Sequence, residues 1–201
     1  MWNASLPPIV APQWQAPHRD LPLEPHTLHL WWLTLPPDAP REVILRTYLR
    51  RYEPNLGEKP LPRTAGGKPY LDALEFNWSH SGNLAVLAVS GRAAVGVDVE
   101  ILRPCPRCSA ISRRFFGAAL QQRVLKGGDR AFLQAWTYYE AWLKAQGIGV
   151  WQRTAAQPLE HWAASFPVGD RAIASVVVLA PTPPQCFFFR PEVVGAMNVH
   201  P

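Results

Sequence analysis

The chain has 201 residues and a mass of 22.5 kDa; 48% of its residues are hydrophobic, 11% aromatic and 17% charged. That is enough apolar material to bury a sizeable core, which excludes a chain disordered over most of its length, and no apolar run approaches the roughly 20 residues of a membrane-spanning helix. The 20 Lys and Arg outnumber the 15 Asp and Glu, for a charge of +5 and a pI near 9.4; most of the cations are Arg, which suits phosphate or carboxylate partners and equally fits a plain compositional bias.

Proline crowds the N-terminus, with 9 of the 22 in the first 40 residues. Residues 1–26 are therefore expected to form an extended arm, pinned to the body by Trp2, Val10 and Trp14. Met1 to Pro12 has no basic stretch and is unlike a secretory signal. Thr27–Leu33 has the make-up of a strand. Pro36, Pro37 and Asp38 then cap a helix expected over Ala39–Tyr52, apolar through Val43, Leu45, Tyr48 and Leu49, and basic through Arg41, Arg46, Arg50 and Arg51. A loop from Glu53 to Gly67 ends in Ala65-Gly66-Gly67-Lys68-Pro69. Three strands follow at Phe76–Ser79, Leu84–Val89 and Ala93–Glu100. Beyond Pro104 the pattern turns helical at Ser109–Phe116 and, for the longest stretch, at Arg130–Gln146. Strands return at His161–Ser165, Ala172–Leu179 and Cys186–Arg190. The order predicts an α+β fold: an arm over 1–26, then two halves of similar size over 27–102 and 103–201. Three Cys cannot build a disulfide scaffold, so a reducing cytoplasm is expected.

Several short patterns carry chemistry. In Val95-Gly96-Val97-Asp98-Val99-Glu100 the alternation of a strand puts Asp98 and Glu100 on one face. Paired carboxylates of this kind suit Mg²⁺, which takes one or two of them plus phosphates and water; a solvated strand face fits the same three letters. On the long helix, Trp136, Glu140 and Lys144 share a stripe at i, i+4, i+8, the spacing also of an ordinary exposed ion pair. His80 stands between Ser79 and Ser81 at a strand end. A hydrolase triad of Ser79, His80 and Asp98 is disfavoured, because no strained turn exposes the Ser. Gly66-Gly67-Lys68-Pro69 offers flexible backbone and one cation to a phosphate. Cys105-Pro106-Arg107-Cys108 lacks the further ligands of a zinc site and the frame of a thioredoxin motif, and reads as two free thiols in a loop.

Taken in order, Gly67-Lys68-Pro69, Asn77-x-Ser79-His80-Ser81-Gly82, Gly96-Val97-Asp98-Val99-Glu100, Arg114-Phe115-Phe116 and Trp136-x-x-x-Glu140-Ala141-x-x-Lys144-x-x-Gly147 resemble the 4′-phosphopantetheinyl transferases of the type that activate peptide and polyketide synthetases. The resemblance spans Gly67 to Gly147, about two fifths of the chain. It implies a pseudo-dimer of two α+β halves with coenzyme A in the cleft between them. It also implies a holo-acyl-carrier-protein synthase activity, in which a serine of an apo acyl or peptidyl carrier protein attacks the β-phosphate of coenzyme A and adenosine 3′,5′-bisphosphate leaves. Carried over residue by residue, Asp98, Glu100 and Glu140 hold Mg²⁺, and Glu140, Asp98 and Lys144 form the catalytic set. Coenzyme A is held by Lys68, Pro69, Ser79, His80, Asp98 and Lys144, with Lys68 and His80 at the 3′-phosphate end. The partner is the carrier protein, docking along Arg113, Arg114, Phe115 and Phe116, where basic and apolar side chains suit an acidic amphipathic helix. Neither a membrane nor a nucleic acid is expected as partner, and a monomer is.

Two departures from the family pattern stand out. The family carries Lys directly before the helix Glu, where this chain has Tyr139, whose ring is expected to flank the diphosphate. Family members also have a longer basic stretch between the first strand and the first long helix. Here only a few residues separate Thr34 from Arg41, and Arg41 and Arg46 are the available substitutes. These departures motivate a non-catalytic relative that binds coenzyme A or a carrier domain as the alternative; the basic pI motivates a nucleic-acid-binding module as a weaker one.

Overall fold

A computed structural model describes residues 1–18, 22–64, 67–148 and 160–191. Ala65 and Gly66 of the expected glycine loop lie outside the described residues. In chain order the elements are β1 (Trp14–Gln15), β2 (Thr27–Thr34), α1 (Arg41–Leu49), β3 (Glu75–Ser81), β4 (Leu84–Ser90), β5 (Val95–Ile101), α2 (Cys108–Phe115), α3 (Ala118–Ala145), β6 (Trp162–Val168), β7 (Ala172–Val178) and β8 (Gln185–Phe189). The fold is mixed α+β, as expected. Among the described residues no helix is long and apolar enough to cross a membrane.

The strands build two sheets, one of five strands in the order β1-β8-β2-β4-β3 and one of three in the order β5-β7-β6. They exchange strands across Leu102: β5 joins β6 and β7, while β8 pairs in parallel with β2. Alternation explains the layering. Leu28, Leu30, Val86 and Ala88 of the larger sheet meet Val95, Val97, Val99, Phe166, Ala174 and Val176 of the smaller in one buried cluster. The opposite face of β2 and β4, with Trp31, Leu33, Leu87 and Val89, receives Leu45 and Leu49 of α1. The outer face of the smaller sheet receives α2 and α3 through Ile173, Val177, Leu133, Ala141 and Trp142. Full burial of each such aliphatic or aromatic side chain contributes about 1.5–3 kcal/mol.

Helix ends differ from the sequence reading for local reasons. Pro40 sits at φ −58°, ψ 123°, so α1 starts at Arg41 with no side-chain cap from Asp38. The long helix begins at Ala118 rather than Arg130, and it is two helical segments joined at Gly128, whose φ of 62° only glycine adopts without strain. The N-terminal arm is pinned where expected. Trp2 pairs with Phe115 and Gly117 through its backbone, Val10 donates to Ser165 O at 2.8 Å, and Trp14 begins β1 against β8.

One contact sets the position of α3. A Cβ on Gly96 of β5 would lie 2.0 Å from Ala141 O and 2.4 Å from Ala145 N, so the helix backbone rests directly on the strand. The facing helix residues are the small, buried Ala141 and Ala145, one turn apart. Gly96→Ala should therefore force the helix off β5 and cost about 3 kcal/mol or more, since the blocking atoms are backbone and cannot rotate away. Urea unfolding would show this as a lowered midpoint; an unchanged midpoint would mean that α3 does not rest on Gly96.

Candidate active site

Asp98 lies two residues beyond Gly96 on the same face of β5, and the close approach of α3 delivers Lys144 to it. Lys144 Nζ donates to Asp98 Oδ1 at 2.6 Å, to Ser79 Oγ at 3.1 Å and to Val97 O at 3.4 Å. Ser79 donates its own hydroxyl proton to Asp98 Oδ1 at 2.7 Å. Glu140, one turn before Lys144, is 3.8 Å from the ammonium through Oε2, a looser pairing than that with Asp98. Glu100 points the same way as Asp98 and receives Ser81 Oγ–H at 2.9 Å and Arg103 Nη1–H at 2.6 Å.

Three carboxylates thus stand against few cations. Asp98 is 4% exposed, and burial pushes its carboxyl up while Lys144 and Ser79 hold it down. Glu140 is raised to about 7, first by burial and then by the charge of Asp98, with Lys144 and a hydrogen bond from Trp136 opposing. Among the described residues no three His, Cys, Asp or Glu side chains are gathered into a ready-made metal cluster. The donor chemistry nevertheless suits a hard divalent cation: all-oxygen carboxylate ligands whose mutual repulsion such an ion relieves, and Mg²⁺ itself needs only one or two of them beside phosphate and water.

The pattern Asn77-x-Ser79-x-Ser81 is one face of β3, and that face closes the free edge of β5. Asn77 Oδ1 accepts from Val97 N–H at 2.9 Å and Ser81 Oγ accepts from Ile101 N–H at 3.2 Å, replacing ladder bonds that the strand would otherwise lack. His80 points to the other face, away from Ser79, which removes any Ser–His–Asp triad. There Arg41 Nη1 donates to His80 Nε2 at 2.7 Å, and burial followed by the charges of Arg41 and Lys144 lowers the imidazole pKa. Arg41 thus supplies the positive charge at the start of α1, with His80 Nε2 as its hydrogen-bond acceptor.

Other predicted residues fall elsewhere. Lys68 Nζ donates to Val95 O at 3.0 Å, beside Glu75 at the opposite end of β3 from His80. Burial lowers the Lys68 pKa, and Pro69 bridges back to Arg63. Arg46 is 4% exposed and donates to Lys59 O, so it anchors the loop after α1 and is no free phosphate ligand. The run proposed for docking divides: Phe116 is fully buried and Phe115 packs on Trp136 and Tyr139, while Arg113 and Arg114 are exposed. Phe116 is therefore corrected from surface to core. Tyr139 is corrected too. Its ring sits among Trp2, Phe115, Phe116, Trp136 and Trp142, at centroid distances of 5.2–6.5 Å, on the side of α3 that meets α2 and the arm.

Two features had no signal in the sequence. Arg103 pairs with Glu100, and a buried chain of hydroxyls fixes the register of α3 on its sheet. Thr137 Oγ1 and Ser175 Oγ are 2.9 Å apart, Ser175 meets Ser165 at 2.9 Å, and Gln134 Nε2 reaches Pro7 O at 3.2 Å. Ser175 is the residue directly opposite Asp98 in the β5–β7 ladder, so the chain keys the helix to the strand that bears the site. A cleft of about 450 Å³, lined by Arg107, Ala110, Ile111, Arg114, Phe115, Trp136 and Glu140, opens between α2 and α3 and ends on Glu140.

Residues 94–188 match the profile of the 4′-phosphopantetheinyl transferase superfamily. The chain is 36% identical over 120 residues to the 4′-phosphopantetheinyl transferase HetI of a Nostoc species, covering 53% of this chain and 50% of that protein. It is 29% identical over 142 residues to AcpT of Salmonella typhi, also named a 4′-phosphopantetheinyl transferase, covering 69% and 70%. The Bacillus subtilis protein of the same name is 34% identical over 91 residues, 42% of this chain and 39% of its own length. The chain thus spans about half the length, or less, of several curated relatives that it matches.

The site predicts a pH signature. Folded Glu140 keeps its proton up to about 7, whereas in the unfolded chain the proton leaves near 4.5. The folded state binds the extra proton between those values, so this group's contribution to stability falls as pH rises from about 4.5 through about 7. In chelator-treated protein, Glu140→Gln should remove that fall and gain on the wild type by up to about 3 kcal/mol at neutral pH. Parallel stability curves for the two proteins across the window would show that Glu140 is not held protonated.

Proposed function

We propose, from the match of residues 94–188 to the 4′-phosphopantetheinyl transferase superfamily, that the chain belongs to that superfamily and moves the 4′-phosphopantetheine group of coenzyme A onto a serine of an apo acyl or peptidyl carrier protein. The observation that carries this reading is the meeting of Asp98, Glu140 and Lys144, from a strand and a helix within the matched region, around one buried charge pair. The carrier's serine oxygen bonds to the β-phosphorus, the bond from that phosphorus to the bridging oxygen breaks, and adenosine 3′,5′-bisphosphate departs with the electron pair.

Asp98, Glu100 and Glu140 are the residues that would hold Mg²⁺, which supplies charge neutralisation on the diphosphate when bound. Lys144 presents an ammonium to the same anion. Glu140, directly or through water, is the group proposed to accept the serine proton. The nucleophile comes from the partner, so the chain needs no Ser–His pair of its own. Arg41 and His80 are proposed for the 3′-phosphate of coenzyme A, with Ser79 fixing Lys144. Lys68 and Pro69, at the other end of β3, are retained only for the adenosine side. Arg113, Arg114 and Phe115 beside the α2–α3 cleft are proposed to receive the acidic carrier. We read the two α+β layers as the halves of a pseudo-dimer, 27–102 and 103–201 with β5 and β8 exchanged, preceded by the arm 1–26. The protein is proposed to work as a cytoplasmic monomer.

Incubation with coenzyme A, Mg²⁺ and an apo carrier protein, followed by weighing the carrier, tests the reading. The carrier should gain one phosphopantetheine, and Asp98→Asn should reduce the rate by about 100-fold or more; unmodified carrier with the wild type would leave only a binding role. His80→Ala and Arg41→Ala should raise the KM for coenzyme A more than they lower kcat, and both should match the wild type when 3′-dephospho-coenzyme A is used. A full-sized defect with that analogue would remove His80 and Arg41 from the 3′-phosphate.

A further inference from the structure

Cys105-Pro106-Arg107-Cys108 has no part in the proposed transfer, yet its geometry is that of a dithiol ready to close. Cys108 N–H donates to Cys105 O at 3.0 Å, and Arg107 has φ −102° and ψ 6°. These are the marks of a type I turn, with Pro106 at the position where proline presets the backbone. Such a turn holds its first and last Cα atoms within about 7 Å, the range that a disulfide spans, about 4.4–6.8 Å. Both ends of the turn are anchored. Cys105 N–H donates to Asp129 Oδ1 at 3.2 Å, and Cys108 is the first residue of α2. Both thiols are free and partly exposed at the rim of the cluster that contains Phe116 and Leu120.

We propose that Cys105 and Cys108 form a reversible disulfide with an anionic low-molecular-weight disulfide such as oxidised glutathione as the oxidant. One protein thiolate attacks a sulfur of the oxidant, a mixed disulfide forms, and one glutathione thiolate leaves. The second protein thiolate attacks the protein sulfur of that mixed disulfide and expels the second glutathione. The protein loses two electrons and two protons, and the oxidant is recovered as two thiols. The exposed guanidinium of Arg107, between the two cysteines, favours approach of the anionic oxidant. Burial raises the Cys105 pKa, which slows attack by that thiol without moving the equilibrium. Cys186 is an internal control: it lies in β8, donates to Pro184 O at 3.6 Å, and is pushed up to about 11 by burial. The bond would close the turn that leads into α2, the helix that walls the cleft beside Glu140. This chemistry stands whether or not the transfer reaction does.

The test uses the full chain in glutathione buffers from fully reduced to fully oxidised, quenched by alkylation under denaturing conditions and read by peptide mass. Oxidised samples should show the 105–108 peptide lighter by two hydrogens and unalkylated, Cys186 alkylated, and full reversal by dithiothreitol. Pro106→Gly, which frees the turn in the reduced chain, should lower the oxidised-to-reduced ratio about two- to five-fold. Three alkylated cysteines even in fully oxidised buffer, a stable glutathione adduct on either thiol, or a bond to Cys186 would overturn the proposal. An unchanged ratio in Pro106→Gly would overturn its basis in the turn.

Discussion

The structure depends on a missing side chain. At Gly96 the backbone of α3 touches the backbone of β5, with Ala141 O and Ala145 N occupying the space where a Cβ would be. Small residues on both surfaces are what allow a helix and a strand to meet this closely. The consequence travels two residues along β5 and less than one turn along α3. Asp98 and Lys144 come within 2.6 Å in a place where Asp98 is almost wholly removed from water. A larger residue at position 96 would separate them by lifting the helix, without touching either charged group.

Burying a charged pair is rarely a net gain in stability over apolar packing, because both ions lose their hydration. Here the arrangement makes more sense as a device for chemistry. Ser79 and Val97 O complete the coordination of the Lys144 ammonium, Ser81 and Arg103 hold Glu100, and Glu140 is left with the weakest partner and the raised pKa. A carboxylate short of cationic company, beside an ammonium already committed to another, attracts an added cation and accepts a proton near neutral pH. The hydroxyl chain from Thr137 through Ser175 to Ser165 then prevents α3 from sliding along the sheet and spoiling the alignment.

Much of this was legible in the sequence where periodicity is short-range. Strand alternation put Asp98 and Glu100 on one face, and helical spacing put Glu140 and Lys144 on one stripe. Non-local choices were not legible. No pattern in Val95–Ile101 or Gln185–Phe189 says which sheet each strand joins, because pairing is decided by chain segments far away. Gly127-Gly128 hid the first half of α3, since the same glycines that permit a kink also read as a stop. Tyr139 was placed by its neighbour in sequence, Glu140, but adjacent helical residues point about 100° apart, and the arm's Trp2 draws the phenol into an aromatic cluster. Phe116 shows the same limit: an Arg-Phe-Phe run does not reveal which ring faces inward.

The most direct measurement is a double-mutant cycle between Asp98→Asn and Lys144→Met, read from urea unfolding free energies of the four proteins. If β5 and α3 meet as described, the two residues form one buried unit and the coupling energy should exceed about 1.5 kcal/mol, beyond the range of exposed pairs. Additive effects, with coupling within about 0.5 kcal/mol of zero, would contradict the account, because Lys144 would then not be the partner of Asp98.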